Sequence, residues 1–139
     1  MPFTKPIEVR YADCDMMQHV NNAVFLHYLE EARLGYYRQL FGPHGMADID
    51  FILGEVRVRY LSPATMGEML DVTVRVSEMR RSSFTMQYAI TAAGDGRSVA
   101  TAGTVQVMFD YVTQASKPLP DDLRARIGQQ EGQDFAIPV

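Results

Sequence analysis

The segment VRYADCDMMQHVNNAVFLHYLEEAR, near the N-terminus, crowds many hydrogen-bonding side chains into one short junction. Two aspartates, Asp13 and Asp15, are followed by His19 and then by Asn21 and Asn22. A carboxylate or an imidazole can act as a general base, and a carboxylate can also attack a carbonyl carbon directly. The same residue types also satisfy free amides in turns and helix caps, and the D-x-D spacing taken alone favours that structural role.

A metal site is the next chemistry that these residue types allow. Asp13, Asp15 and His19 are possible ligands by type, but the sequence offers no further ligand that converges on them. Cys14 is the only cysteine, which excludes an internal disulfide and a multi-cysteine metal site. No histidine partner is placed for its thiol, so Cys14 is interpreted as a small packed residue, and no metal is predicted.

The junction lies between a predicted strand and a predicted helix. Ile7, Val9 and Tyr11 alternate with polar residues, which is typical of a half-buried strand. The range 23–41 is predicted to be a helix, because its apolar residues recur at spacings of three and four; they are Phe25, Leu29, Ala32, Tyr36 and Leu40. Asn21 or Asn22 is expected to cap its start, and Gly42-Pro43 to end it.

After the helix, the apolar pattern changes to a period of two, which predicts strands. Short turns separate the runs, so the strands are expected to pair antiparallel. The predicted inward faces are Val56, Val58 and Tyr60; Leu70, Val72, Val74 and Val76; Phe84, Met86, Tyr88, Ile90 and Ala92; and Thr101, Gly103, Val105, Val107, Phe109 and Tyr111. Only one long helix is available to cover them, so an α+β sheet curled around that helix is predicted. The range 121–127 is a possible short helix, followed by a polar end that is expected to fray.

Length and composition limit the function classes. The 139 residues suit one domain, predicted to span residues 1–139. The net charge of -4 argues against a general nucleic-acid binder, which would present a basic face. No apolar run is long enough for a membrane span, and no signal peptide is recognised, so a cytoplasmic location is expected.

The order of strand, D-x-D-x-x-x-H-V-N-N junction, long helix and antiparallel meander resembles the hot-dog fold. More narrowly, it is similar to the 4-hydroxybenzoyl-CoA thioesterase-like acyl-CoA thioesterases over about Val9 to Ile127. The residues that carry the resemblance are Arg10, Tyr11, Asp13, Asp15, His19, Val20, Asn21, Asn22, Tyr28, Glu31, Arg33, Tyr60, Pro63, Gly67, Arg81, Ser82, Ser83, Phe84, Pro118, Leu119 and Pro120. The resemblance implies a long central helix wrapped by a curved antiparallel sheet of about five strands.

The resemblance also implies an activity, namely hydrolysis of an acyl-CoA thioester to the free acid and CoA. It would make Asp15 the catalytic carboxylate, in an active site that lies across a dimer interface. CoA would then be part of the substrate, and no separate cofactor is expected. Gln18 departs from the family pattern, in which a glycine more often precedes the histidine, and that position bears on the shape of the pocket.

Thioester hydrolysis needs a polarised carbonyl and an oxygen nucleophile, whereas the thiolate leaves readily. The free amides near Asn22 and Ala23, at the positive end of the helix dipole, are candidates for the oxyanion site. Asp15 would deprotonate a water molecule or attack to give an acyl anhydride, and the sequence leaves both routes open. His19 is expected to fix the junction by hydrogen bonding, with general-base catalysis as the alternative. Asp13 is expected to be structural, paired with backbone or with Arg10.

A turn at Arg81, Ser82 and Ser83 is the candidate site for the nucleotide end of CoA, because arginine forks and hydroxyls suit phosphates. The expected partners are the acyl-CoA substrate and further copies of the chain, as a homodimer or homotetramer. Two alternatives remain open. The first is a non-catalytic acyl-CoA binding module, and the second, ranked below it, is a hot-dog hydratase or dehydratase. Thiol release, binding without turnover and water addition to an enoyl-CoA distinguish the three.

Overall fold

A computed structural model describes residues 2–43 and 51–135 of the chain. The elements in chain order are β1 (Phe3–Glu8), a 3₁₀ turn (Tyr11–Asp13), α1 (Val24–Phe41), β2 (Phe51–Tyr60), β3 (Met69–Met79), β4 (Ser83–Ala92), β5 (Ser98–Asp110), β6 (Ala115–Ser116) and α2 (Asp121–Glu131). The strands form one antiparallel sheet with the order β1-β3-β4-β5-β2, and the short β6 pairs with the end of β5. The predicted α+β hot-dog architecture of one long helix against an antiparallel sheet is confirmed.

The long helix α1 forms where its apolar spacing predicts. Phe25, Leu29, Ala32 and Tyr36 are buried against the sheet, whereas the polar positions between them face outward. The helix ends at Gly42, whose φ of 84° is one that glycine adopts readily, and its N–H donates to the Arg38 carbonyl at 2.7 Å. The helix therefore lies along the sheet with its start beside the polar junction.

The start of α1 differs in detail from the predicted asparagine cap. Ala23 occupies the N-cap position, with helical φ and ψ and no side-chain cap of its own. Asn21, two residues before Ala23, binds the helix-start amides instead, because its Oδ1 accepts from the Ala23 N–H at 2.9 Å and its carbonyl accepts from the Val24 N–H at 2.9 Å. The Asn21 side chain thus satisfies a helix-start amide, while Asn22 does not serve as a cap.

The inward face predicted for β5 is wrong. From Ala100 onward, the buried side chains of this strand are Ala100, Ala102, Thr104, Gln106 and Met108, whereas the positions between them are half-buried or exposed. Val99, next to the start of the strand, is buried as well. Their partners explain the inversion, since the inward-facing Met86 and Phe84 of β4 lie directly opposite Thr104 and Gln106. A polar pair is buried there because Thr104 Oγ1 lies 2.7 Å from the Tyr88 hydroxyl and Gln106 Nε2 donates to Thr104.

The C-terminal helix is longer than predicted. It runs four residues beyond Ile127 to Glu131, and Leu123 and Ile127 are fully buried in the core. Glu131 fastens its end, because its Oε2 accepts from the Tyr36 hydroxyl at 2.5 Å and from the Val76 N–H at 3.0 Å. Tertiary contacts with α1 and β3 therefore hold a segment whose composition predicted fraying.

Candidate active site

The polar junction folds as a tight hairpin that ends at the start of α1. The Asp15 N–H donates to the His19 carbonyl at 2.9 Å, and the Asn21 N–H donates to the Asp13 carbonyl at 2.9 Å. Gln18 closes the turn with a φ of 64°, in the left-handed region that favours glycine. This is the position where the related family more often carries glycine, so the departure concerns a backbone site where a side chain is strained.

Asp13 anchors this hairpin from the inside. Its side chain is buried and accepts from the Arg10 N–H at 3.0 Å, from Arg10 Nη2 at 3.1 Å and from the Tyr28 hydroxyl at 2.8 Å. Burial alone would raise the pKa of Asp13, but the hydrogen bonds from Arg10 and Tyr28 together hold this pKa below its ordinary value. The predicted pairing of Asp13 with Arg10 and with backbone is confirmed.

Asp15, by contrast, is exposed on the wall of a cavity of about 970 Å³. Its Oδ1 accepts from the Met17 N–H at 2.9 Å, which fixes the side chain at the turn and leaves the other oxygen without a partner among the described residues. The cavity is lined by Tyr11, Ala12, Cys14, Asp15, Met16, Gln18, Thr65 and Met66. A carboxylate held in one orientation beside an open cavity is available for chemistry.

The wall of this cavity is apolar on either side of the carboxylate. Met16 is 98% exposed, Tyr11 84% and Met66 59%, so large apolar side chains face the opening. Cys14 also lines the cavity, and its Sγ lies 3.7 Å from the Arg10 carbonyl oxygen. The cysteine is half-buried against the core, in accordance with its interpretation as a packed residue.

His19 lies opposite Asp15 in the hairpin and pairs with the loop that precedes β3. It forms a bridge with Thr65, and the neighbouring Val20 N–H donates to the Ala64 carbonyl at 2.9 Å. Its imidazole has no hydrogen-bond partner among the described residues, and it is not part of the lining of the cavity. The backbone of His19 therefore carries the contact with the loop, while the predicted hydrogen-bonding role of its ring stays a prediction.

Arg97 holds the loop of residues 62–68, and the sequence analysis did not single it out. Its Nη2 donates to Glu68 Oε1 at 2.9 Å and to the Pro63 carbonyl at 3.1 Å, and its Nε donates to Ser62 Oγ at 3.1 Å. The pKa of Glu68 lies below its ordinary value, mainly because its carboxylate accepts hydrogen bonds from the Arg97 side chain. Because this loop supplies Thr65 and Met66 to the cavity wall, Arg97 positions that wall from a distant hairpin.

The backbone amides at the helix start differ in whether they have an acceptor among the described residues. The Ala23 N–H, one of the predicted oxyanion donors, is already bound to Asn21, and the Asn22 carbonyl accepts from the Tyr60 hydroxyl at 2.9 Å. The Asn22 N–H has no acceptor among the residues that the structure describes. Its peptide is oriented by the bond from the Val24 N–H to the Asn21 carbonyl, so the free N–H is fixed in direction.

The single chain does not bring all the predicted site residues together. Asp15 lines the cavity, whereas Asn22 and Ala23 lie outside its lining. The turn of Arg81, Ser82 and Ser83 follows the far end of β3, while the junction adjoins its start, where the Val9 N–H donates to the Glu68 carbonyl. The eleven residues of β3 separate these two places by about 33 Å.

The Arg81 turn itself is well ordered by backbone contacts. The Arg80 N–H donates to the Ser83 carbonyl at 2.7 Å, the Leu119 N–H to the Arg81 carbonyl at 2.8 Å and the Met108 N–H to the Ser82 carbonyl at 2.8 Å. The Arg81 side chain is exposed, with no partner within residues 2–43 and 51–135. Its assignment to the nucleotide end of CoA stays a prediction.

A metal centre finds no support in the described part of the chain. No group of three His, Cys, Asp or Glu side chains there is arranged to hold an ion. Asp13, one of the three ligands considered, is already bound to Arg10 and Tyr28.

The described helices include none that is both long and apolar enough to span a membrane.

The hairpin, the cavity beside Asp15 and the sheet wrapped on α1 define a hot-dog protein with a carboxylate site. The model of the Thioesterase-like superfamily matches residues 9–127, and the chain therefore belongs to that family. The prediction of a thioester hydrolase is confirmed at the level of the enzyme class. Among curated relatives, the long-chain acyl-CoA thioesterase FadM of Escherichia coli is 31% identical over 125 residues, covering 88% of this chain and 95% of the relative.

Two solved structures are similar to the chain along most of its length. A thioesterase from Thermus thermophilus, crystallised with coenzyme A and zinc, is 36% identical, with a TM-score of 0.83 over 94% of each chain. A 1,4-dihydroxy-2-naphthoyl-CoA thioesterase from Synechocystis has a TM-score of 0.84 over 94% of this chain and 98% of its own. At 22% identity, that second likeness shows the fold alone.

Proposed function

We propose that the chain hydrolyses acyl-CoA thioesters to a free acid and CoA, with Asp15 as the catalytic carboxylate. The observation that carries this proposal is the exposed Asp15 carboxylate, fixed by the Met17 N–H on the wall of a large, partly apolar cavity. The family, the FadM relative named for long-chain acyl-CoA and the Thermus structure with coenzyme A support the substrate class.

The unpartnered carboxylate oxygen of Asp15 is the group that delivers the nucleophile. In the general-base route, this oxygen takes a proton from a water molecule while the water oxygen attacks the thioester carbon. In the nucleophilic route, the oxygen attacks directly, the thiolate leaves, and water then hydrolyses the mixed anhydride. Both routes end with the same acid and thiol, and both need a negative charge at position 15.

The Asn22 N–H is the donor that we assign to the developing oxyanion. It has no acceptor among the described residues, and it lies at the positive end of the α1 dipole. The Ala23 N–H is excluded from this role in the free enzyme, because it is occupied by Asn21. Tyr60 supports the arrangement by binding the Asn22 carbonyl, which fixes the next peptide plane.

His19 is assigned to positioning the site. Its backbone joins the Asp15 strand of the hairpin to Thr65 on the opposite wall of the cavity. The thiolate of CoA needs no acid to leave, because a thiol with a pKa of about 8.5 departs readily as its anion. Turnover therefore requires no proton transfer from the side chain at position 19.

We further propose that a second copy of the chain completes the site. Asn22 and the Arg81 turn lie outside the lining of the cavity that holds Asp15, and β2 is an edge strand of the sheet with pairing on one side only among the described strands. A homodimer would bring Arg81, Ser82 and Ser83 of one copy toward the cavity of the other, where they would bind the phosphates of CoA. A homotetramer would be a pair of such dimers.

The test is Asp15→Asn, which keeps the acceptor for the Met17 N–H and removes the charge. Asp110→Asn is the matched control, because Asp110 Oδ1 accepts from the Val112 N–H at 2.9 Å in the same type of turn. Release of free thiol is measured over a panel of aliphatic chain lengths and aromatic acyl-CoA substrates. We expect Asp15→Asn to lose at least about a hundredfold in kcat, in line with the loss of a general base, and Asp110→Asn to match the wild type.

Near wild-type turnover of Asp15→Asn would refute the assignment of that residue. Binding of every acyl-CoA in the panel without any thiol release by the wild type would refute the proposed activity itself. Light scattering at micromolar concentration tests the shared site, since a fully active monomer is incompatible with it.

A further inference from the structure

The face of the sheet turned away from α1 carries a basin that the proposed active site does not use. It has a volume of about 720 Å³, within the range of small-molecule sites. Arg57 and Arg59 of β2 stand on one side of it and Arg75 of β3 on the other. Three arginines line this one basin in a chain whose net charge is -4.

The strand register builds the basin in two rows. In the first row, Arg75 lies opposite Gln87, Gln87 opposite Gly103, and Gly103 opposite Arg57. In the second row, the same register sets Thr73, Ala89, Thr101 and Arg59 side by side. The walls are thus three strand spacings apart, or about 14 Å between backbones, which two extended arginine side chains can span from opposite sides.

The floor between the walls consists of Gln87 and three small residues. Gly103 lies at the centre of the first row, and a Cβ placed there would meet nothing nearer than Gln87 Oε1 at 3.4 Å. Ala89 and Thr101 continue the low floor in the second row. Small residues on an exposed sheet face leave the guanidinium groups room above the strands, with the Thr101 hydroxyl as a further donor.

The arginines are poorly neutralised by the chain itself. Arg57 forms one exposed contact, with its neighbour Glu55 at 3.5 Å. Neither Arg59 nor Arg75 pairs with a carboxylate anywhere in the described part of the chain. Unpaired arginines that face one another repel, so an anion between them is stabilised and the empty basin is not.

The chemistry of the walls selects the occupant. Guanidinium groups bind phosphate oxygens in a bidentate manner, and a group with two linked phosphates offers one fork to each wall. A second copy docked by the same face would set arginines against arginines, which disfavours that occupant. We propose that this basin binds a small pyrophosphate-bearing anion between Arg57 and Arg59 on one wall and Arg75 on the other.

Two sources of such a group are compatible with the position of the basin. Arg59 precedes Tyr60, whose hydroxyl contacts the Asn22 carbonyl at 2.9 Å, so the basin and the helix start lie on opposite faces at the same end of the edge strand β2. The nucleotide end of an acyl-CoA can reach the basin around that edge, in which case the basin takes the place of the Arg81 turn in binding the CoA phosphates. A free nucleotide can instead occupy the basin as a separate ligand, in which case the Arg81 turn keeps its proposed role. Pyrophosphate and ATP serve as probes.

The experiment measures binding of pyrophosphate and of ATP by titration calorimetry at low salt, without any need for turnover. The charge variants are Arg59→Gln and Arg75→Gln, and Gly103→Val fills the floor while all three arginines remain. Arg38→Gln is the control, because Arg38 is exposed on α1, on the other side of the sheet. We expect each charge variant to weaken binding at least about fivefold, Gly103→Val to do so comparably, and Arg38→Gln to leave binding unchanged.

Kinetics with acyl-CoA then separates the two sources. A KM that rises in Arg59→Gln and Arg75→Gln with kcat unchanged identifies the nucleotide end of the substrate, whereas an unchanged KM with weakened ATP binding identifies a separate nucleotide site. Failure of the wild type to bind either pyrophosphate or ATP would overturn the proposal, as would equal binding by Arg75→Gln, Gly103→Val and the control. Loss of turnover in Asp15→Asn leaves these binding results unaffected, so the two proposals fail independently.

Discussion

Replacing Asp13 by asparagine should destabilise the fold without removing the chemistry. The buried carboxylate accepts three hydrogen bonds, and asparagine can keep the two at Oδ2, from the Arg10 N–H and from the Tyr28 hydroxyl, only as bonds to a neutral oxygen. A hydrogen bond to a charged group contributes about 1.5–3 kcal/mol, against about 0.5–1.5 kcal/mol for a neutral one. The two weakened bonds together predict a loss of about 2–3 kcal/mol in the free energy of unfolding.

The companion variant Tyr28→Phe removes one of these bonds and leaves the carboxylate charged. It should cost about 1.5–3 kcal/mol, and the double variant should cost less than the sum of the two single variants because they share one bond. Urea unfolding gives the free energies, and thiol release by the folded fraction gives the activity. Asp15→Asn is the comparison, since its side chain is exposed and its turn contact is kept.

The pH dependence of the unfolding free energy is a second test of the hydrogen bonds around Asp13. The folded pKa of Asp13 lies below the value of about 3.9 found in unfolded chains. The contribution of the carboxylate is therefore fully present above that unfolded value and is lost as pH falls through the lower folded pKa. The difference in unfolding free energy between the wild type and Asp13→Asn should be constant from about pH 5 to 8 and shrink below about pH 4.

An Asp13→Asn protein that unfolds at the wild-type urea concentration would refute the role of the network. A variant that keeps its stability but no longer releases thiol would contradict the structural assignment of Asp13 and would move the catalytic carboxylate to that position.

Three further predictions concern the backbone and the loop beside the cavity. Gly67→Ala should lower the free energy of unfolding, measured in urea, by about 1–2 kcal/mol because the φ of Gly67 is 88°. Gly94→Ala should be close to neutral, because Gly94 is a loop glycine with open space around it. Equal losses in the two variants would contradict this explanation. Gln18→Gly should gain about 0.5–1 kcal/mol, since relief of its left-handed φ exceeds the entropy cost of glycine; a loss of stability would argue against strain. Arg97→Lys should lower kcat/KM several-fold with unchanged far-UV circular dichroism. The reason is that a lysine cannot bind Ser62, Pro63 and Glu68 at the same time. Wild-type kinetics in this variant would show that Arg97 is not needed to position the loop.

Local patterns were sufficient for the framework of the fold. The spacing of Phe25, Leu29, Ala32 and Tyr36 predicted both α1 and its buried face, because a helix face repeats at three and four residues wherever it packs. The alternation of apolar and polar residues likewise predicted β3 and β4 and their buried faces, because side chains of a strand point inward at every second residue. These elements are amphipathic, and each carries its orientation in its own sequence.

The same reasoning failed for β5, where valines and polar residues compete for the core. Val105 and Val107 are half-buried on the outer side, while Thr104 and Gln106 are buried with Tyr88. A period of two has two phases, and the phase is set by pairing with the neighbouring strand. The end of α2 is a similar case, because Glu131 is fixed by Tyr36 and Val76 from distant parts of the chain.

The sequence by itself determined which residue types meet at the junction, the fold class and the division between a structural Asp13 and an available Asp15. Only the tertiary structure decided which helix-start amide is free, that Arg97 supports the cavity wall, and that three arginines from two separated strands share one basin. The physical reason is range: helix and strand periods act between near neighbours in sequence, whereas hydrogen-bond occupancy, strand register and convergence of charge depend on residues that only folding brings together.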